Sequence, residues 1–583
     1  MRRFSQQVLA TTLGFFLALG LLVGLTLSSA VWFGSQPKPD KLADPTVLRI
    51  ELSGKLVEYV SRDPLPALVE KREQLIDLVA LKAAIKNAQK DPHIKGIYLS
   101  VKQLIAGWAS LAEVREALQA FKATGKFVIA YSEAYTQKTF YLASLADEVM
   151  AHPAGIFLLN GLSLAVLFYK GLLEKLEVEP QVFVAGQYKS AAEPLVRSAM
   201  SEASKHQYEV LLSTLYDHLI DKIATDRGLS ATSLRQMVND LAIKDPQEAH
   251  AAQLITKVGY ADDAEAWMKT KLGLAERDAV TYVSLNKYIK VNQVPKSPKT
   301  QVAVLVASGS ITDDPAQPGS ISTQTFVRDL KRLREDPQVK AIVLRINSPG
   351  GSMLASDTMR RELMLTRACK PIVASLGDVA TSGGYYLALA CDYIIAHPTT
   401  ITGSVGVFGL YFTIDSLLSN KLGITVDGVK TAPSADLLSM TRPPSAHEKD
   451  VIQRMVDQAY TQFVALVSTS RQMSPAEAER VSGGRVWPAS LAQEHGLVDE
   501  LGSLENAIEK AADLASLAGA YTVSYYPPAS TWLEEALNLW SDMQGKMLVD
   551  NTYHQVAPYL QNIRQLHAMR GIQAWLPYAI EID

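Results

Sequence analysis

"DPQVKAIVLRI", residues 336–346, is a short β-branched run launched from an Asp-Pro turn, and alone it reads as one buried strand. Its meaning changes once the chain is searched for a second copy, because an internal repeat fixes architecture before any local signal does. "DPHIKGIYLSV" begins at Asp91, 245 residues earlier, and the same offset aligns "FYLASLADEVMAHP" (140–153) with "YYLALACDYIIAHP" (385–398) without a gap. Farther out, the helix-like stretch from Ser201 faces another from Ser445. The chain therefore reads as two diverged copies of one domain, 47–291 and 301–525. They are joined by the proline-containing "NQVPKSPKT" (292–300) and followed by a tail, 526–583. Within each copy, β-branched runs such as "QVAVLVAS" and "PIVASLG" alternate with helical patterns such as "TFVRDLKRLRED". That rhythm predicts an α/β fold with a parallel sheet covered by helices, in which ligand sites gather where strands end.

Composition narrows the function. The 583 residues carry a formal charge of −3 and no basic stripe, which argues against nucleic acid as a partner. Two cysteines, Cys369 and Cys391, are too few for a disulfide framework or a zinc site. After Arg2 and Arg3, Val8–Phe33 runs for 26 residues without a charge. As a helix rising ~1.5 Å per residue it would reach roughly 39 Å, enough to span the hydrocarbon core. A cleaved leader is the rival reading, given the small residues Ser28, Ser29 and Ala30, but the apolar run is long for one. Residues 1–46 are thus read as a single-pass membrane anchor and linker. The leading arginines place the N-terminus in the cytoplasm and the folded copies on the far side. In the tail, Trp532, Leu533, Ala536, Leu537 and Trp540 follow helical spacing, and the tail as a whole reads as helical.

The two copies disagree at their strand ends. In "GDVATSGGYYLA" (377–388), Ser382 precedes two glycines; its counterpart at the 245-residue offset is Gln137, with neither glycine. "INSPGGSML" (346–354) faces "VKQLIAGWA" (101–109), where the Pro-Gly-Gly turn is gone. A serine before glycines is often only a helix N-cap. Losing both Gly-rich turns in the same copy points instead to a nucleophile, Ser382, with oxyanion donors in the amides of Gly351 and Gly383. A base is then needed. His397 recurs as His152 in the copy without the serine, so it reads as structural. The complementary residue is Lys189 in "FVAGQYKSAAEPLVRSAMSE" (183–202), whose counterpart in the second copy falls at Ser434 and Ala435. One copy holds the lysine and the other the serine. A lysine of pKa ~10.4 is a base only if burial lowers that value, and Val184, Ala185, Ala191 and Ala192 offer apolar surroundings. Ser404 in "TTITGSVGVFGLY" (399–411) is the candidate for orienting the amine.

At these residues the sequence resembles the signal peptide peptidase A (protease IV) family in its long, tandem-domain form. "QYKSAAEP" and "GDVATSGGYYLA" are similar to that family's lysine and serine motifs, "INSPGGS" to its oxyanion turn and "TGSVGVFG" to its lysine-orienting segment. The resemblance implies two tandem crotonase-like (Clp protease-like) domains and a serine endopeptidase in which Lys189 and Ser382 meet between the copies. It also implies a homotetramer, signal-peptide-like apolar peptides as substrates, and no metal or cofactor. Three rivals stand beside it: a broader membrane-associated protein-degrading protease, acyl-CoA chemistry on the same fold, and a membrane scaffold without catalysis.

Overall fold

The structure, a computed structural model, describes residues 14, 42–60, 75–291, 300–314, 319–519, 521–527 and 571–575. The apolar span 8–33, apart from Gly14, and the Trp532–Trp540 face lie outside the described residues. Among the described residues no helix is long and apolar enough to cross a membrane.

Each copy folds around a parallel sheet. In the first, Thr46–Val57, Ile94–Ile105, Phe127–Tyr135 and Glu148–Phe157 run side by side in that order. In the second, Gln301–Ser308, Val339–Ser348, Ile372–Thr381 and then Tyr393–Ala396 and Ile401–Gly403 repeat it. The stretch that opened the sequence reading becomes a central strand, with Ala341 to Leu344 fully buried. Central parallel strands are covered on both faces, so a continuous apolar run suits them better than alternation. The long helices match as the repeat requires. Glu202–Arg227 and Ala446–Arg471 each span 26 residues, and each starts at a serine, Ser201 or Ser445, whose hydroxyl accepts a backbone N–H of the first turn. Such a cap stabilises a helix by about 1 kcal/mol.

A third sheet belongs to neither copy alone. Its order is Ile321–Ser322, Ile311–Thr312, Gly350–Ser352, Gly571–Trp575, Val407–Thr413 and Glu179–Ala185. The last strand comes from the first copy and pairs antiparallel with Val407–Thr413 of the second over seven residue pairs, from Val407 with Ala185 to Thr413 with Glu179. At Gly571–Trp575 the tail is a strand where a helix was expected; residues 528–570 and 576–583 lie outside the described residues. Gly571 is a poor helix former, Ile572 and Trp575 favour strands, and two open strand edges receive the segment.

The copies also meet through a buried charge cluster. Arg345, in the central strand of the second copy, lies 2.9 Å from Glu58 and 2.8 Å from Glu113, both of the first copy. Lys82 pairs with Glu113 and reaches Glu505 at 2.6 Å. Burial opposes ionisation of Glu113, but the charges of Arg345 and Lys82 overcome it and hold the carboxyl at about 2; burial leaves Glu58 raised. Removing Arg345 would leave Glu58 and Glu113 buried without their shared cation, so the cluster ties the halves together through that arginine.

Candidate active site

Ser382 stands at the turn between the strand Ile372–Thr381 and the short helix Gly383–Ala388, with φ 54° and ψ −114°. That region is strained for a residue with a Cβ, costing on the order of 1–3 kcal/mol. The strain is held from behind by the first copy. Asp378, in the same strand, accepts the Ser110 N–H at 2.8 Å and the Ser110 hydroxyl at 2.6 Å. Arg345 donates to Ser375 Oγ at 3.0 Å, and the Ser382 N–H donates to the Gly403 carbonyl at 2.7 Å. The Ser382 side chain makes no capping hydrogen bond to the helix it precedes. The N-cap reading of this serine therefore fails.

Lys189 follows the strand Glu179–Ala185 through a turn at Gly186–Tyr188, so the composite sheet carries it into the second copy. Its Nζ lies 2.8 Å from Ser382 Oγ, 3.0 Å from Ser404 Oγ and 3.2 Å from the Ser404 carbonyl oxygen. Lys189 is 4% exposed and both serines 0%. The backbone closes tightly around the lysine. A Cβ at Gly484, where φ is +83°, would sit 2.6 Å from the Lys189 nitrogen. Only glycine permits that approach, and the approach excludes water. Burial, with no carboxylate contributing, lowers the lysine to about 7. A neutral amine has one lone pair and two N–H groups. The lone pair can accept the Ser382 O–H while the two N–H groups donate to the Ser404 hydroxyl and carbonyl oxygens, so the three contacts saturate the neutral form.

The other expected residues divide. Gly351 lies in the short strand Gly350–Ser352, and a Cβ there would stand 2.0 Å from the Ile311 carbonyl oxygen, so no other residue fits. Gly383 is the first residue of the helix after Ser382, where main-chain N–H groups lack an intrahelical partner. Ala185, Ala191 and Ala192 are buried as expected. Val184 is not: its side chain is 37% exposed, and Gly406 and Gly484 of the second copy take the place beside the lysine. His397 is engaged elsewhere, 2.8 Å from Thr399 Oγ1 and 3.3 Å from Glu116. Among the described residues no group of His, Cys, Asp or Glu is arranged to hold a metal ion.

Sequence reasoning missed the cluster behind the serine strand. Its signal was present in the opening stretch, where Arg345 interrupts an apolar run while the counterpart at the same offset is Ser100. A cation in a central strand demands buried anions.

Comparison with known proteins finds one family in both copies. The model of peptidase family S49 matches residues 120–275 and 365–518, one stretch in each copy. "Protease 4" of Salmonella typhi is 34% identical over 80% of this chain and 76% of its own. "Serine protease SPPA, chloroplastic" of Arabidopsis thaliana is 33% identical over 76% of this chain and 66% of its own. "Protease 4" of Haemophilus influenzae is 33% identical over 74% and 72%.

Proposed function

The chain belongs to peptidase family S49, and from that premise we propose a membrane-anchored serine endopeptidase in which Ser382 is the nucleophile and Lys189 its general base. The observation that carries the proposal is the 2.8 Å approach of Lys189 Nζ to Ser382 Oγ in a buried site that holds the amine at about 7. Ser382 Oγ attacks a peptide carbonyl carbon as its proton passes to Lys189 Nζ. The oxyanion that forms is met by the amides of Gly351 and Gly383. Lys189 then gives the proton to the leaving amine as the C–N bond breaks, and water, deprotonated by the same lysine, releases the acyl group from Ser382. Ser404 holds the amine in line. All of these groups come from one chain.

The substrates on this reading are apolar peptides such as cleaved signal peptides, with the anchor at 8–33 keeping the folded copies on the non-cytoplasmic face. The mechanism draws on no metal or cofactor. A homo-oligomer is also part of the reading, and the strand exchange supports it. Glu179–Ala185 of the first copy donates a strand to Val407–Thr413 of the second. At the 245-residue offset the duplicate donor is 424–430 and the duplicate acceptor is 162–168, and neither carries a strand pairing among the described residues. Val426 and Val429 of the donor and Leu167 of the acceptor are exposed. Donor and acceptor on opposite halves fit a head-to-tail contact, which closes into a ring when the rotation allows.

The test is hydrolysis of an apolar peptide ester by detergent-solubilised protein and by Lys189→Ala and Ser382→Ala at matched folding and oligomeric state. Each substitution should lower kcat/KM by about a thousandfold or more. Full activity in Lys189→Ala with loss in Ser382→Ala would place the base elsewhere. Equal activity in all three would favour another chemistry.

A further inference from the structure

The first copy keeps a cleft where the second copy has its catalytic turns. Its parallel strands Ile94–Ile105 and Phe127–Tyr135 pair from Gly96 with Phe127 to Leu99 with Ala130 and then part. At their carboxyl ends, where open α/β sheets hold their ligands, lies a cleft of about 1070 Å³. Trp108 and Gln137 in its wall stand 245 residues before Met353 and Ser382, so it is the twin of the second copy's site. The nucleophile is absent, but room and an apolar wall remain: Ile105 and Leu158 line the cleft and are 59% and 47% exposed. The strand beside them is open as well. From Val101 to Ile105 it pairs with Thr46–Val57 on one side. On its other side Ser132 Oγ donates to the Val101 carbonyl at 2.9 Å, and among the described residues no strand pairs there beyond Leu99. An extended peptide can add to such an edge.

Charge separates the twins. Lys55, Lys102 and Lys138 line the first copy's cleft with one acid, Glu133. The matching positions of the second copy are Ser310, Asn347 and Gly383, with Asp378 for Glu133. One cleft is net positive where the other is net negative. Lys55 and Lys102 are exposed, and among the described residues neither is held in an ion pair. Lys138 Nζ lies 5.8 Å from the centre of the Trp108 ring, over the cleft wall. This combination suits an apolar chain with an anionic end: side chains against Ile105 and Leu158, main chain along the strand edge, carboxylate among the lysines.

We propose that the first copy's cleft is a receptor, without chemistry of its own, for the free carboxyl end of an apolar peptide. Hydrolysis of a peptide bond creates one such end at every cut. The source of the ligand thus rests on the peptidase reading, whereas binding can be measured without catalysis. A cleft left over from duplication is the competing account, and it predicts no preference for a peptide acid over its amide.

The experiment uses the solubilised full chain carrying Ser382→Ala, so that nothing is cleaved. The probe is a hexapeptide of alternating leucine and alanine with fluorescein at its N-terminus, made as the free acid and as the C-terminal amide and followed by anisotropy. The acid should bind at least about tenfold more tightly than the amide at low salt, and the margin should shrink as salt is added. Lys102→Gln combined with Lys138→Gln should abolish the margin and leave amide binding unchanged. Ala134→Trp, which fills the cleft from an exposed position, should abolish it too, and decides the matter if the double variant fails to fold. Equal affinity for acid and amide, or a margin that survives these variants, overturns the proposal. Displacement of the labelled acid by dodecanoate as readily as by unlabelled peptide acid overturns it as well, because the site would then hold any apolar carboxylate. Ester turnover with Ser382 intact separates the two readings. Ser382-dependent turnover without a margin leaves the peptidase and removes the receptor; a margin without turnover in any form does the reverse.

Discussion

Two helix starts, 246 residues apart, show what the second copy gave up to hold its serine. At Thr136 the first copy enters its helix with φ −96° and ψ 172°, and Thr136 and Thr139 close a capping box. At Ser382 the second copy enters with φ 54° and ψ −114° and no side-chain cap. One hydroxyl cannot both cap a helix and face a lysine. The first copy has relaxed further: Gln137, in the place of Ser382, donates to the Gly161 carbonyl at 2.7 Å and accepts the Gly161 N–H at 2.9 Å. That amide bridges a gap that Lys189 occupies in the second copy. A cleft of about 1070 Å³ remains beside Gln137, lined by Lys102, Trp108 and Ser132 among others. The difference teaches that a strained turn persists here where a partner from the other copy uses it.

Transplanting the serine is the severest way to break this comparison. Gln137→Ser combined with Ser382→Ala should stay at least about a thousandfold below wild type in ester hydrolysis, because the first copy's turn has no lysine delivered to it. Recovered turnover would mean that the nucleophile needs no cross-copy base. Next in size is the cluster behind the serine strand. Arg345→Met should cost about 3–5 kcal/mol in denaturant unfolding, since it leaves Glu58 and Glu113 buried beside each other, whereas Ser100→Ala at the matching position should cost under about 1 kcal/mol.

How much of this was legible in the sequence follows from the same contrast. The repeat, the parallel sheets and the complementary lysine and serine could be read because duplication leaves a built-in alignment, and each loss shows against its twin. Arg345 was not recognised as a tie between the copies, because its partners Glu58, Glu113 and Lys82 are scattered over the first copy and carry no common spacing. Val184 was misplaced because alternation along its strand turns its side chain outward, a fact fixed by pairing with Val407–Thr413 and not by local hydrophobicity. The strand at Gly571–Trp575 was hidden for a similar reason: five residues of mixed character become a strand only when two edges await them.

Smaller effects sharpen the picture of the lysine. With Lys189 at about 7, kcat/KM should fall about tenfold per pH unit below that value and level off above it, because the neutral amine is the active form. Ser404→Ala should lower kcat by about 10- to 100-fold and move this acid limb to lower pH, since the lost hydroxyl oxygen supports the ammonium more than the amine. An unmoved limb would reduce Ser404 to packing, as its counterpart Leu159 is. The smallest test is one of sign. Ser382→Gly should be more stable than Ser382→Ala by about 1 kcal/mol, because glycine accepts the positive φ without strain, while Gln137→Gly at the relaxed start should be destabilising.

The seven-pair strand exchange and the buried charges between the copies lie far in sequence from the joint at 292–300. Covalent continuity through that joint is therefore not what assembles the site. A nick there would leave a two-piece molecule with Lys189 on one polypeptide and Ser382 on the other, still noncovalently whole. By the same logic, a genome could encode the halves as separate subunits, each inert until it met its complement.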